Sequence, residues 1–158
     1  MRLFGRKRED ASGDDGAPEA SDAYDSSADS GEVPEEITAG PIGEQEQERI
    51  ETALRALAER GIDVDDLGSL SEAFDAAVDG DNADDLPLLA IGVGEFLHRH
   101  ASLRWAMVSD AFGTDLGLEG RRRDLHIVPQ SLLSARWMRR EKGWLDGAVR
   151  HLASTSTR

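Results

Sequence analysis

Apolar residues recur along this chain with two different periods, and the change from one to the other falls near residue 103. From Leu86 to His100 the spacing is helical. Leu88, Leu89, Gly92, Val93, Phe96 and Leu97 share one broad apolar face, with Gly94, Glu95, His98 and Arg99 opposite. Asp84 and Asp85 offer capping oxygens, and Pro87 sits where a helix tolerates a missing N–H. Interior glycines weaken a helix by roughly 1 kcal/mol each relative to alanine, so Gly92 and Gly94 imply a compensating close approach of another backbone. From Leu103 the period is two, with Leu103, Trp105 and Met107 on one face and Arg104, Ala106 and Val108 on the other. This predicts a strand. Asp110 to Asp115 carries turn-tolerant residues, and Leu116 to Leu118 resumes the alternation as the return arm of a hairpin. Leu125 to Val128 gives a third short strand, ended by Pro129.

Helical patterns flank this unit. Glu44 to Arg60 places Ile50, Leu54, Leu57 and Ala58 on a narrow stripe, with Gly61 as the C-cap. Ser69 or Ser71 caps a second helix in which Leu70, Phe74, Ala77 and Val78 recur at i, i+4, i+7 and i+8. After Pro129, Ser131 caps a helix that faces Leu132, Leu133 and Trp137 inward and stops at Gly143. Leu145, Ala148, Val149 and Leu152 mark a last amphipathic helix. The expected fold class is α+β. A small single domain over residues 44–153 packs its helices on a short antiparallel sheet of about three strands, followed by a polar end at 154–158.

Composition adds a tail to this picture. Residues 1–43 hold almost nothing apolar after the first few positions, so they cannot offset their ordering entropy and are expected to be disordered. The net charge of −14 is unevenly spread. Residues 1–8 carry four bases, 9–36 carry eleven acids and no base, and 119–158 carry nine bases against four acids. The basic start, Arg2, Arg6, Lys7 and Arg8, allows weak contact with an anionic membrane surface, but two apolar neighbours are too few for an anchor. The acidic tail reads as a solubilising linker, with a decoy folding back on the basic end as the alternative. There is no cysteine, no apolar run of membrane-spanning length and no secretory h-region, so a cytoplasmic location is expected. Sixteen arginines against two lysines suggest a GC-rich coding sequence and a bacterial source.

No motif assembles a complete catalytic site. Glu95 and His98 stand at i and i+3, a spacing that lets a carboxylate and an imidazole share a metal ion, with His126 as a further candidate. One such pair is too few ligands, and exposure or hydrogen bonding at the domain rim is the favoured explanation. No G-x-S-x-G elbow is present, and Gly92-Val-Gly94 lies inside a helix rather than in a phosphate loop. No cofactor is expected. Arg121, Arg122 and Arg123, with Arg136, Arg139 and Arg140, form a candidate basic surface beside Trp144. Arginine and tryptophan are favoured interface anchors, which points to a protein partner, while the overall acidity disfavours nucleic acid.

Gly92-x-Gly94-Glu-x-Leu97, Trp105 followed five residues later by Asp110, Phe112-Gly113-Thr-Asp115, Pro129-x-Ser131 and Arg136 occur in this order. In that layout the region from Leu86 to Leu152 resembles an uncharacterised bacterial family, domain of unknown function 3806. The resemblance implies an α+β architecture and supplies no catalytic or ligand residues. The leading functional expectation is therefore a non-enzymatic protein-interaction or regulatory module. The rivals are a metal-dependent enzyme using Glu95, His98 and His126, and nucleic-acid binding by the basic end.

Overall fold

A computed structural model describes residues 36–122 and 124–157. The basic start with Arg2, Arg6, Lys7 and Arg8, most of the expected acidic tail, and Arg123 lie outside the described residues. In chain order the elements are β1 (Thr38–Gly40), α1 (Glu44–Glu59), α2 (Leu67–Asp79), a single 3₁₀ turn (Ala83–Asp85), α3 (Leu86–His100), β2 (Arg104–Asp110), β3 (Gly113–Glu119), β4 (His126–Ile127), α4 (Pro129–Met138) and α5 (Leu145–Ser156). The four strands form one antiparallel sheet in the order β1-β2-β3-β4. The α+β class is therefore as expected, with one strand more than the alternation predicts. That strand is β1, whose small residues Thr38, Ala39 and Gly40 carry no hydrophobic alternation and were grouped by composition with the tail. Backbone pairing to Ser109, Val108 and Met107 makes them a sheet edge.

Helix α3 is the centre of the domain. It packs against α1, α2, α4 and α5 and against the sheet, and Leu86, Leu89, Val93 and Leu97 join the main core with Leu57, Leu70, Phe74, Leu118, Leu133 and Val149. The side of α3 that carries Gly94 and Glu95 is not a solvent face; both are buried because β2 lies across them. Trp105 and Met107 on β2 oppose Leu118 and Leu116 on β3, and this face meets the helices. Small sequence readings shift accordingly. Ala53 rather than Ala58 completes the buried stripe of α1. Asp66 rather than a serine caps α2, its Oδ1 accepting from the Gly68 N–H at 2.9 Å. Helix α4 starts at Pro129 without a capping side chain and ends at Met138, five residues before Gly143, as Arg140 turns into the left-handed region at φ 58°.

The two glycines of α3 admit side chains rather than a backbone. A Cβ at Gly92 would lie 2.9 Å from Leu70 Cδ2 and 3.0 Å from Leu57 Cδ1, both ends of movable side chains. A Cβ at Gly94 would overlap the six-membered ring of Trp105, with Cζ2 at 2.9 Å and Cζ3 at 3.0 Å. The tip of the indole's six-membered ring thus fills the space that a side chain at Gly94 would occupy. Its Nε1–H donates to Glu95 Oε2 at 3.0 Å, and Arg99 Nε donates to the other oxygen, Oε1, at 2.8 Å. A carboxylate with 8% exposure needs both partners, because an unpaired buried charge is strongly destabilising. Arg99 Nη1 continues to Asp65 Oδ2 at 2.7 Å, and His100 Nε2–H donates to Asp65 Oδ1 at 2.9 Å. The chain Trp105–Glu95–Arg99–Asp65–His100 thereby ties the sheet, α3 and the α1–α2 connection together.

Alanine at Gly94 forces the rigid Trp105 ring to move, whereas alanine at Gly92 needs only rotation of leucine methyls and gains helix propensity. Urea unfolding of Gly94→Ala should show a loss of about 1–3 kcal/mol, the usual range for overpacking, with Gly92→Ala close to neutral. Equal effects would contradict the socket. The His100 hydrogen bond, opposed by desolvation and assisted by Arg99, holds the Asp65 pKa below its ordinary value. A depressed carboxylate stabilises the fold above its unfolded-state pKa and loses that contribution as pH falls through the folded-state value. Stability measured from neutral pH down to the carboxylate range should therefore fall less steeply in Asp65→Asn than in the parent chain.

Candidate functional site

The basic residues do not form one patch. Arg136 Nη1 pairs with Glu141 Oε2, and Arg139 reaches Glu141 Oε1 at 3.7 Å. Arg140 Nη1 donates to Asp81 Oδ1 at 3.0 Å and to the Val78 carbonyl at 3.3 Å. Lys142 Nζ meets Asp79 Oδ1 at 2.8 Å, and the Gly143 N–H donates to Asp75 Oδ1 at 3.0 Å. Every acceptor from Asp75 to Asp81 belongs to α2 or the turn after it. The segment after α4 is thus clamped on the C-terminus of α2, where the helix dipole favours cations. The Asp79 hydrogen bond raises the Lys142 pKa, and the Arg136 hydrogen bond lowers that of Glu141. Arg121 and Arg122 contact a different part of the molecule. They are exposed on the β3–β4 loop and line a concavity of about 520 Å³ with Leu125 and the end of α5. Arg123 is outside the described residues.

Trp144 is half-buried and packs against the core. Its ring meets Phe74 edge-on at 5.4 Å between centroids, and the Arg136 guanidinium covers it at 5.1 Å. The metal candidates separate in the same way. Both Glu95 oxygens are engaged by Trp105 and Arg99. His98 Nδ1–H donates to the Leu103 carbonyl at 2.7 Å and fixes the α3–β2 connection. His126 lies on β4 opposite Glu119, not beside Glu95. Among the described residues no three His, Asp or Glu side chains come together as a metal site.

What the structure adds is the tip of the β2–β3 hairpin. Asp110 and Gly113 are the last pair of the ladder, so Ala111 and Phe112 alone form the loop. Asp110 Oδ1 accepts the Phe112 N–H at 2.7 Å, and Gly113 takes φ 139°, which favours glycine. Ser109 and Thr114 hydroxyls bond across the ladder just below at 2.7 Å. The turn is therefore well determined, yet Phe112 is 93% exposed. Ile37, 48% exposed, precedes the Thr38 that pairs with Ser109 and so lies at the same end of the sheet. Asp110 and Asp115 flank the tip with negative charge. The signal available in the sequence was a single large aromatic within a turn segment that needs none.

The family model described as Domain of unknown function (DUF3806) matches residues 66–147, from the cap of α2 to the first turn of α5. No curated protein and no solved structure matches the chain.

If the α4–α2 clamp is structural, backbone strain and ion pair can be separated at Arg140. Arg140→Ala loses the pair and keeps a left-handed non-glycine residue; Arg140→Gly loses the pair but removes that strain, of order 1 kcal/mol. Arg140→Gly should thus be the more stable of the two variants by about 1 kcal/mol in chemical denaturation.

Proposed function

Starting from the domain of unknown function 3806 family, to which this chain belongs, we propose that the protein is a non-enzymatic protein-interaction module that engages its partner through the β2–β3 hairpin tip. The observation that carries the reading is Phe112, 93% exposed on a turn whose geometry is set by Asp110 and Gly113. A bulky aromatic there contributes nothing to the core and leaves apolar surface in water. Held on a two-residue loop, it loses little further conformational freedom on binding, which is the condition under which an aromatic becomes an interface anchor. Asp110 and Asp115 beside it favour a partner whose apolar pocket is rimmed by lysine or arginine. Anionic membrane is disfavoured by the same two charges.

The alternatives receive less support. The residues offered for a metal-dependent enzyme, Glu95 and His98, are engaged in hydrogen bonds that hold the sheet and α3 together. Arg136, Arg139, Arg140 and Lys142 face carboxylates, which leaves less of a basic surface for nucleic acid. No described helix is long and apolar enough to cross a membrane. A cytoplasmic setting is supported by the absence of cysteine.

A photoreactive phenylalanine analogue at position 112, with position 138 as the control, tests this reading in the native cell. Met138 is also an exposed apolar residue, at 73%, but sits at the end of α4. The expected result is one discrete crosslinked product from position 112, mapping to a lysine- or arginine-flanked pocket, and lost when Asp110 and Asp115 are both replaced by lysine. Phe112→Ser should remain within about 0.5 kcal/mol of parental stability, as for a surface residue outside the core. No product at position 112, or the same products from both positions, would contradict the proposal.

A further inference from the structure

Two carboxylates are buried in the described domain, and only one of them is fully engaged. Glu95 uses both oxygens, but at Glu119, 7% exposed, the two Arg104 donors converge on one atom. Arg104 Nε lies 2.9 Å and Nη2 2.6 Å from Oε2, and no described residue donates to Oε1. Glu119 and Arg104 face each other across β2 and β3, and His126 continues the row on β4. This row lies on the sheet face opposite to the one that Trp105 presents to α3. Beyond it, Ser102, Gly120 and Arg121 complete a concavity of about 420 Å³ that Arg104 and Glu119 also line. Arg121 is exposed and forms no ion pair with a described residue. A second concavity of about 390 Å³ shares the Arg104–Glu119 pair and is lined on its far side by Pro41, Ile42 and Ala106.

We infer that the Arg104–Glu119 cavity binds a small zwitterion carrying a carboxylate, an amine and an apolar side chain, of the size of a free amino acid. Arg104 is held in place by Glu119, so its remaining N–H donors are oriented before any ligand arrives, and Arg121 supplies a second guanidinium on the rim. Two arginines are the preferred receptors for a carboxylate. Oε1 of Glu119 accepts from no described residue, and an ammonium group can donate to it. The charge count discriminates between ligands. Two cations and one anion match a carboxylate with a neighbouring amine, whereas phosphate brings a second negative charge towards Glu119 and offers no cation to Oε1. The volume falls within the roughly 300–1,000 Å³ of small-molecule sites, and the second concavity, which shares Arg104 and Glu119, offers the apolar surface of Pro41 and Ile42. This site is separate from the hairpin tip and stands or falls without it.

Titration of the full chain followed by amide and arginine side-chain NMR tests the inference, using leucine, 4-methylpentanoate, isopentylamine and inorganic phosphate as probes. Leucine is expected to give saturable shifts at Ser102, Arg104, Gly120 and Arg121. The acid lacking the amine and the amine lacking the acid should each bind at least about tenfold more weakly, the equivalent of one lost charge-assisted hydrogen bond. Arg121→Ala, a surface change, should weaken leucine by about tenfold. Glu119→Gln should weaken leucine more than it changes 4-methylpentanoate, because only leucine brings an ammonium group to the lost charge. If Glu119→Gln unfolds, the Arg121→Ala result and the probe series still decide. No saturable shift with leucine, equal binding of leucine and its truncated analogues, tighter binding of phosphate, or indifference to Arg121→Ala would each overturn the site.

Discussion

The seating of the Trp105 indole on Gly94, with its N–H on the Glu95 carboxylate, is the contact on which the rest of the domain depends. A helix and a sheet normally meet through interdigitated side chains. Here the absence of a Cβ lets an aromatic ring lie against the helix backbone, and the residue next in sequence supplies the acceptor that the indole needs. Once Trp105 is placed, the pairing of β2 with β3 puts Leu116 and Leu118 against α1 and α3, and the hairpin tip is carried to the far end of the sheet. The same carboxylate positions Arg99, which reaches Asp65 in the connection between α1 and α2. One buried charge thus organises three parts of the chain, and it is tolerated because each of its oxygens has a donor.

Much of this was legible in the pattern of apolar residues. The periodicities from Leu88 to Leu97 and from Leu103 to Val108 locate α3 and β2, and Pro87 marks the first turn of the helix. The hairpin and the short strand before Pro129 also follow from alternation and turn chemistry. Edge strand β1 was not legible, because three small residues pair through backbone atoms alone. The burial of Glu95 was not legible for a physical reason: a wheel reports polarity around one helix and not which neighbouring element covers each side. The membership in a family over residues 66–147 agrees with the resemblance carried by the glycines, Trp105 and Pro129.

The charged residues show the same limit more clearly. Counting bases near the C-terminal end suggests one positive surface, but Arg136, Arg140 and Lys142 find their partners in Glu141, Asp81 and Asp79, two of them about 60 residues earlier in the chain. Such pairings are set by the fold and cannot be read from local composition. What survives as surface chemistry is smaller and more specific. Phe112 is presented on a turn that does not require it, and Arg104 is anchored by a carboxylate whose second oxygen accepts from no described residue. Both features lie at the margins of the sheet, whereas the residues that first suggested a metal site, Glu95 and His98, hold α3 and β2 together.

The Trp105–Glu95 hydrogen bond, and not ring burial alone, docks the sheet on α3. A double-mutant cycle of Trp105→Phe and Glu95→Gln, read by urea unfolding, measures that link directly. The expected coupling energy is at least about 1 kcal/mol, in keeping with a hydrogen bond to a buried charged group. Effects that add to within about 0.5 kcal/mol would show the two residues to be independent and would contradict it.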